Sequence, residues 1–287
     1  TIAESSGSTS VDESGTTDTF TVVLDAEPAS DVVLSISSAD TGEATVTSLL
    51  TFTSANWDTA QTVTVTGVDD DIIDGTQTTT ISVAVVDSIS DDNFDSVADQ
   101  TVSVTTTDDD VAGFTIAESS GSTSVAESGT TDTFTVVLDA QPDSNVVLSI
   151  SSADTGEATV TSTLTFTSAN WDTAQTVTVT GADDDLIDGT QTTTVTVSVN
   201  DGSSDDNFDS VSDETVSVTT TDDDVAGFTI AETGGSTSVD ESGTTDTFTV
   251  ILNAQPDSDV VLSISSSDTG ETTVTSTLTF TSANWDT

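Results

Sequence analysis

The sequence predicts an all-β fold, a set of antiparallel β-sandwiches strung in tandem like beads. Three observations carry that expectation. Apolar residues alternate with Thr and Ser at a period of two, one unit recurs along the chain, and no segment shows helical spacing.

The alternation comes first. Phe20, Val22 and Leu24 alternate with Thr19, Thr21 and Val23, and Val32, Leu34 and Ile36 with Val33, Ser35 and Ser37. Val63/Val65, Ile81/Val83/Val85 and Val102/Val104 continue the pattern, mostly interleaved with Thr or Ser. Short alternating runs divided by Gly, Asp, Ser and Asn read as half-buried antiparallel strands. Thr suits their outer faces, because β-branched side chains fit a pleated surface. Roughly seven or eight such strands per unit predict a two-sheet, immunoglobulin-like sandwich. Phe52 and Trp57 are expected as core plugs, since aromatics dominate small cores.

The repeat is visible by eye. Thr1-Ile2-Ala3-Glu4 recurs at Thr115 to Glu118 and at Thr229 to Glu232, and Trp57 recurs as Trp171 and Trp285, each at an offset of 114. That period is too long for a solenoid and matches an independent domain of about 100 residues. The expected units are 1–112, 113–226 and a third, 227–287, that stops about halfway through. The chain begins inside one unit and ends inside another, so a segment of a longer array is expected. The joints Asp110-Val-Ala-Gly-Phe114 and Asp224-Val-Ala-Gly-Phe228 are short and identical, so local contacts should set their orientation.

Composition narrows the chemistry. The 287 residues include no Lys, Arg, His, Cys, Met or Tyr, and 52 Asp and Glu give a formal charge of −52. With no basic residue there is no counterion-releasing surface for nucleic acid, and anionic membranes would repel the chain. No apolar run approaches the ~20 residues that span a bilayer. Disulfides, thiolate or imidazole metal sites and an imidazole general base are all excluded. A one-sign chain can be disordered, but the 33% of apolar residues are too regularly arranged for that here.

The acids are clustered. Both complete units carry Val-x-Glu-Ser-Gly (Glu13, Glu127) and Asp-Thr-Gly-Glu (Asp40, Asp154). They also carry a first triplet with a following Asp (Asp69-Asp70-Asp71 with Asp74; Asp183-Asp184-Asp185 with Asp188) and a second triplet (Asp108-Asp109-Asp110; Asp222-Asp223-Asp224). Each triplet closely follows an alternating strand, Thr62 to Gly67 or Thr101 to Thr107 in the first unit, which puts both at strand ends where a sandwich gathers its loops. Carboxylates that converge there cannot all ionise unless a cation joins them. Hard oxygen donors in this number suit Ca²⁺ better than Mg²⁺, and zinc or copper would lack nitrogen or sulfur ligands. Ser90-Asp91-Asp92-Asn93-Phe94-Asp95, repeated as Ser204 to Asp209, reads as a hairpin loop in preference to a further calcium site.

These features together resemble the Calx-beta domain, the calcium-sensing sandwich of sodium/calcium exchangers. It also recurs as tandem, cadherin-like repeats in very large bacterial surface proteins and adhesins. The matching stretches are Phe114 to Glu118, Val125 to Gly129, Leu164-Thr-Phe166, Thr176 to Asp185 and Val218 to Phe228, which together span essentially a whole unit. The resemblance implies calcium ligands at Glu13, Asp40, Asp69, Asp70, Asp74, Asp108, Asp109 and Asp110, with the Ile72 carbonyl. In the second unit it implies Glu127, Asp154, Asp183, Asp184, Asp188, Asp222, Asp223 and Asp224, with the Leu186 carbonyl. The family often has another acid where this chain has Gln77 and Gln191, which bears on the number of ions. The third unit keeps Glu241 and Asp268 but ends before either triplet.

The expected function is mechanical: a secreted, Ca²⁺-stiffened stalk or filament of adhesin or extracellular-matrix type. Its partners would be the neighbouring repeats, with lateral self-assembly as a variant. Sites with Kd of order 10⁻⁴–10⁻³ M fill only outside cells, which points to the extracellular space or the cell surface. A calcium-dependent carbohydrate- or ligand-binding module is the alternative. Near-copy units, with aromatics only 5% of the chain, argue against it. Paired carboxylates can hydrolyse glycosides, but clusters repeated at every pole are not the single cleft of an enzyme.

Overall fold

The computed structural model describes residues 1–287. Repeat 1 forms β1 (Ile2–Glu4), β2 (Thr9–Asp12), β3 (Thr17–Val22), β4 (Val32–Ser38), β5 (Ala44–Val46), β6 (Leu49–Phe52), β7 (Gln61–Gly67), β8 (Gln77–Val85) and β9 (Gln100–Thr107). One sheet has the order β1-β3-β7-β5 and the other β2-β9-β8-β4-β6. Their inner faces meet in a core of Val11, Phe20, Val32, Phe52, Val63, Val65, Ile81, Val104 and neighbours. This is the two-sheet sandwich that the alternation predicts.

Two details differ from the expectation. There are nine strands, because the first strand divides. Its β1 half pairs with β3, then the chain crosses over and β2 pairs with β9. That second pairing is parallel, Thr9 opposite Val104 through Asp12 opposite Thr107, whereas every other ladder in the repeat is antiparallel. The crossover turns at Glu4–Thr9, through Gly7 at φ 79°.

Repeat 2 has the same order in β10 (Phe114–Glu118), β11 (Thr123–Ala126), β12 (Thr131–Leu138), β13 (Val146–Ser152), β14 (Ala158–Val160), β15 (Thr163–Phe166), β16 (Gln175–Gly181), β17 (Gln191–Val199) and β18 (Glu214–Thr221). Residues 227–287 form two separate two-stranded ladders, β19 (Phe228–Glu232) with β20 (Phe248–Leu252) and β21 (Val260–Ser263) with β22 (Thr277–Phe280). Their partly covered cluster is small: Val250, Leu252 and Phe280.

Phe52 and Phe166 are fully buried, as a core plug should be, whereas Trp57 is half-buried at the sandwich edge. Trp171 and Trp285 pack, partly buried, against the cores of their units, and the backbone contributes as well: the Trp57 carbonyl accepts from Leu24 N–H at 3.2 Å, and Trp171 does the same for Leu138 at 3.1 Å. The chain is not wholly free of helix. Short 3-10 turns, Asp87–Ile89 and Asp92–Phe94, lie between β8 and β9, with counterparts at Asp201–Ser203 and Asp206–Phe208. Single 3-10 turns need no helical periodicity, so the hydrophobic pattern carries no trace of them. No helix is long and apolar enough to cross a membrane.

Candidate metal centre

The strand pattern itself aims the acids. In β2, Thr9 and Val11 face inward, and two residues on, Glu13 continues the same face; it is 1% exposed. In β9, Val102, Val104 and Thr106 face inward, so Asp108 and Asp110 follow on that side while Asp109 is exposed. Alternation is what a strand does to side chains, and here it runs on past the ladder into the loop. β7 behaves differently. Val63, Val65 and Gly67 face inward, but the chain turns after Gly67 as Val68 N–H bonds to the Glu43 carbonyl at 3.0 Å. The phase therefore shifts: Asp70 is half-buried, while Asp69 and Asp71 are exposed.

Two glycines make this convergence possible. Gly15, with φ of 86°, closes the turn behind Glu13 in a region that side chains with a Cβ rarely occupy. Gly67 packs against the backbone of Asp12, and a Cβ placed there would fall on the Asp12 carbonyl oxygen. Gly181 repeats the contact with Ala126.

Carboxylate oxygens of Glu13, Asp70 and Asp110 lie within 4.8 Å of one another, and in repeat 2 those of Glu127, Asp222 and Asp224 do so. Asp70 is held by Ile72 N–H (2.8 Å), and Asp108 by Gly75 N–H (2.7 Å) and Asp110 N–H (2.8 Å). Equivalent bonds fix Asp184 and Asp222. Asp74 stands beside the group, and its carbonyl accepts from the Gln77 amide at 3.0 Å. Gln77 therefore closes the loop through the backbone. Asp40 is exposed, and its Oδ1 accepts from Gly42 N–H at 2.9 Å. Asp69, Asp109, Asp183 and Asp223 are exposed and lie outside the three-acid groups; Asp154 repeats the Asp40 turn.

The structure adds Glu43 and Glu157, which the resemblance does not imply as ligands. Glu43 Oε2 is buried without a hydrogen-bond partner, as are Glu13 Oε2, Asp110 Oδ2, both Glu127 oxygens, Glu157 Oε2 and Asp224 Oδ2. The signal was present as the last residue of Asp-Thr-Gly-Glu. The sequence does not give its direction, because the residue precedes the short edge strand β5, whose inward Ala44 fixes it only in three dimensions.

Burial and mutual repulsion act together on these groups. Burial first, then the charges of Asp108, Asp70, Asp74 and Glu43, push Glu13 up to about 7. Burial and the charges of Asp108, Asp71, Asp109 and Asp70 push Asp110 up to about 6. Glu127 is raised to about 7 by burial and by Asp184, Asp222, Asp188 and Glu157. Glu43, Asp74, Glu157 and Asp224 are also raised, in each case chiefly by burial. The protein has no side-chain cation to relieve this. Its one ion pair, the N-terminal amine with Asp25 at 3.4 Å, involves exposed groups of Thr1 and Asp25 and none of the cluster acids. Partnerless buried oxygens, all hard donors, fit a hard divalent cation, and nothing in the set would suit a soft one.

The same loop leaves its own repeat. The Asp71 carbonyl accepts from Gln141 N–H at 2.7 Å, Ile72 pairs with Gln141 as a parallel bridge, and Ile73 packs against the core of repeat 2. Asp185, Leu186 and Gln255 repeat the backbone part at the next joint. Asp143 of repeat 2 adds its charge to those raising Asp74.

No protein-family model and no curated protein sequence matches the chain. Among solved structures it is similar to domains 4 and 5 of the S-layer protein SbsC, at 20% identity over 66% of this chain and 70% of that one, with a TM-score of 0.32. It is also similar to the calcium binding domain CBD12 of CALX1.1, at 13% identity over 69% of this chain and 79% of that one, with a TM-score of 0.30. CBD12 from CALX1.2 is similar at 14% identity over 68% and 79% of the two chains, with a TM-score of 0.28. The two-sheet fold assigned to this chain rests on its own strand order and register.

Proposed function

We propose that this chain is a structural segment of an extracellular or cell-surface array, in which Ca²⁺ at the acidic pole of each repeat fixes that repeat to the next. In this reading the units 1–112, 113–226 and 227–287 are successive beads of a stalk or filament shaft, with no catalytic role. The resemblance to Calx-beta repeats leans the same way. The observation that carries the reading is that one loop serves both cluster and joint: Asp70 and Asp74 face the carboxylate group while Asp71, Ile72 and Ile73, between them, bind repeat 2.

The residues that would hold the ion are Glu13, Glu43, Asp70, Asp74, Asp108 and Asp110, and in repeat 2 Glu127, Glu157, Asp184, Asp188, Asp222 and Asp224. A bound divalent ion supplies positive charge to a pole that has none of its own. Without it, repulsion within the group acts directly on the loop that makes the joint. Such weak, oxygen-only sites fill at the millimolar calcium of extracellular fluids.

Thermal melting and small-angle scattering of the full chain in Ca²⁺, in Mg²⁺ and in chelator test this. A site at a tenfold excess over its Kd adds about 1.4 kcal/mol, which is roughly 5–10 °C in Tm for a domain of this size. The expected result is that gain together with a straighter chain, for Ca²⁺ and not for equal Mg²⁺. Unchanged Tm and shape in calcium would remove the metal from the reading.

A further inference from the structure

The Ser-Asp-Asp-Asn-Phe-Asp hairpin is the one repeated acidic motif that the metal reading leaves unused. Its first aspartate is committed internally. Asp91 accepts backbone N–H bonds from Ala29 (2.6 Å), Ser30 (3.1 Å) and Asn93 (3.0 Å), and Asp205 accepts from Ser144 (2.7 Å) and Asn207 (3.0 Å). A carboxylate saturated by backbone donors ties a hairpin down and has little left for a cation.

What the hairpin presents differs between the two copies. In repeat 1, where no loop lies against it, the Asn93 amide folds back onto Asp91 at 2.8 Å, and Phe94 is half-buried. In repeat 2 the Asn207 amide instead reaches the carbonyl of Ile73 in repeat 1, at 3.1 Å, and Phe208 is fully buried. Leu138 and Ala140 are buried, whereas their counterparts Leu24 and Ala26 are half-buried and exposed.

The loop side has its own internal comparison. At the second joint the backbone contacts of Asp185 and Leu186 with Gln255 form, but residues 227–287 include no such hairpin. There Ile187 is 47% exposed and Phe228 53%, whereas Ile73 packs into repeat 2 and Phe114 is buried. At this joint the backbone bridge forms while Ile187 stays exposed.

We infer that this hairpin is the receptor of the joint, its Asn207 side chain latching the preceding repeat's acidic loop by the Ile73 carbonyl while the Ile73 side chain packs on the repeat 2 core to which Phe208 and Leu138 belong. The surface faces one partner, the loop that follows the seventh strand of the repeat before it. This goes beyond the calcium reading, because the latch involves no acid of the cluster.

The chain has no cysteine, so Thr51→Cys and Thr165→Cys, both at exposed positions of edge strands in adjacent repeats, take spin labels for a distance measurement across the joint. In the full chain the expected result is one narrow distance, lost in Asn207→Ala and in Ile73→Ala and kept in Asn93→Ala, which deletes the same amide where no loop is docked. Near-ultraviolet dichroism of the tryptophans should stay unchanged, separating a loosened joint from an unfolded repeat. A narrow distance in Asn207→Ala, or equal broadening in Asn93→Ala, overturns the latch. Repeating the series in Ca²⁺ and in chelator separates the two readings. Loss of the narrow distance in Asn207→Ala with no calcium effect keeps the latch and ends the metal reading. A calcium effect with an unmoved Asn207→Ala does the reverse.

Discussion

Glu127 is a carboxyl group with neither oxygen hydrogen-bonded, buried at the end of an inward-facing strand, and its acidity departs from the ordinary value by burial more than by any one neighbour. Its folded-state pKa, about 7, stands above the unfolded value, so between roughly pH 4.5 and 7 the folded chain binds the extra proton. Stability linked to this group is present below the unfolded pKa and is lost as pH rises through 7. Glu13, and Asp110 at about 6, act in the same sense. Asp12, Asp18, Asp91, Asp132, Asp240 and Asp246 are lowered by hydrogen bonds, so their contribution is lost only as pH falls through the folded values, below the ordinary carboxylate range. In chelator, Tm should therefore rise as pH is taken from 8 down to 5 and fall again below about 4. Glu127→Gln should raise the metal-free Tm at pH 8, by roughly 1–3 kcal/mol of relieved burial cost, and remove the calcium-dependent gain of repeat 2. A melt series that climbs with pH in chelator would contradict the buried, repelling cluster.

At the scale of the strand, direction is the whole argument. Glu13, Asp108 and Asp110 could be placed from the sequence, because each lies an even number of residues beyond a buried apolar position and strands alternate strictly. The first triplet could not be read this way. Counting on from Val63 and Val65 would put Asp69 inward, and only the turn after Gly67 brings Asp70 in. Glu43 was hidden for a related reason: a three-residue edge strand is too short to establish a period. The division of the first strand, and its parallel pairing with β9, also escaped the pattern, since alternation reports faces and not partners. The Gly67 and Gly181 contacts make a separate prediction. Gly181→Ala forces its Cβ against the Ala126 carbonyl, one residue before Glu127, so the ladder must shift. A loss of about 1–3 kcal/mol, typical of overpacking, together with weakened calcium binding is expected from melts and titration calorimetry; Gly202→Ala, where a Cβ meets nothing, should do neither.

Across the whole molecule, a charge of −52 with no basic residue makes ionic conditions part of the fold. Two populations of acid respond differently. Exposed carboxylates repel through solvent and are screened by simple salt, with a Debye length near 10 Å at 0.1 M and about 3 Å at 1 M. The buried group at each pole is shielded from that salt, so simple screening relieves it little. In chelator, raising NaCl to about 0.5 M should therefore lift Tm modestly while leaving the scattering profile that of a bent chain. If salt alone straightened the array, general repulsion would govern the joints and the poles would not.

The side-by-side run of β2 and β9 has a consequence for a chain held at both ends. The two strands lie near opposite termini of one repeat and point the same way. A pull along the array drags them past each other lengthwise, so the bonds from Thr9 to Asp12 are loaded in shear, all at once, and do not peel open one by one. A repeat built in this way should resist a pull at its ends, in single-molecule stretching, far better than its melting temperature alone would suggest.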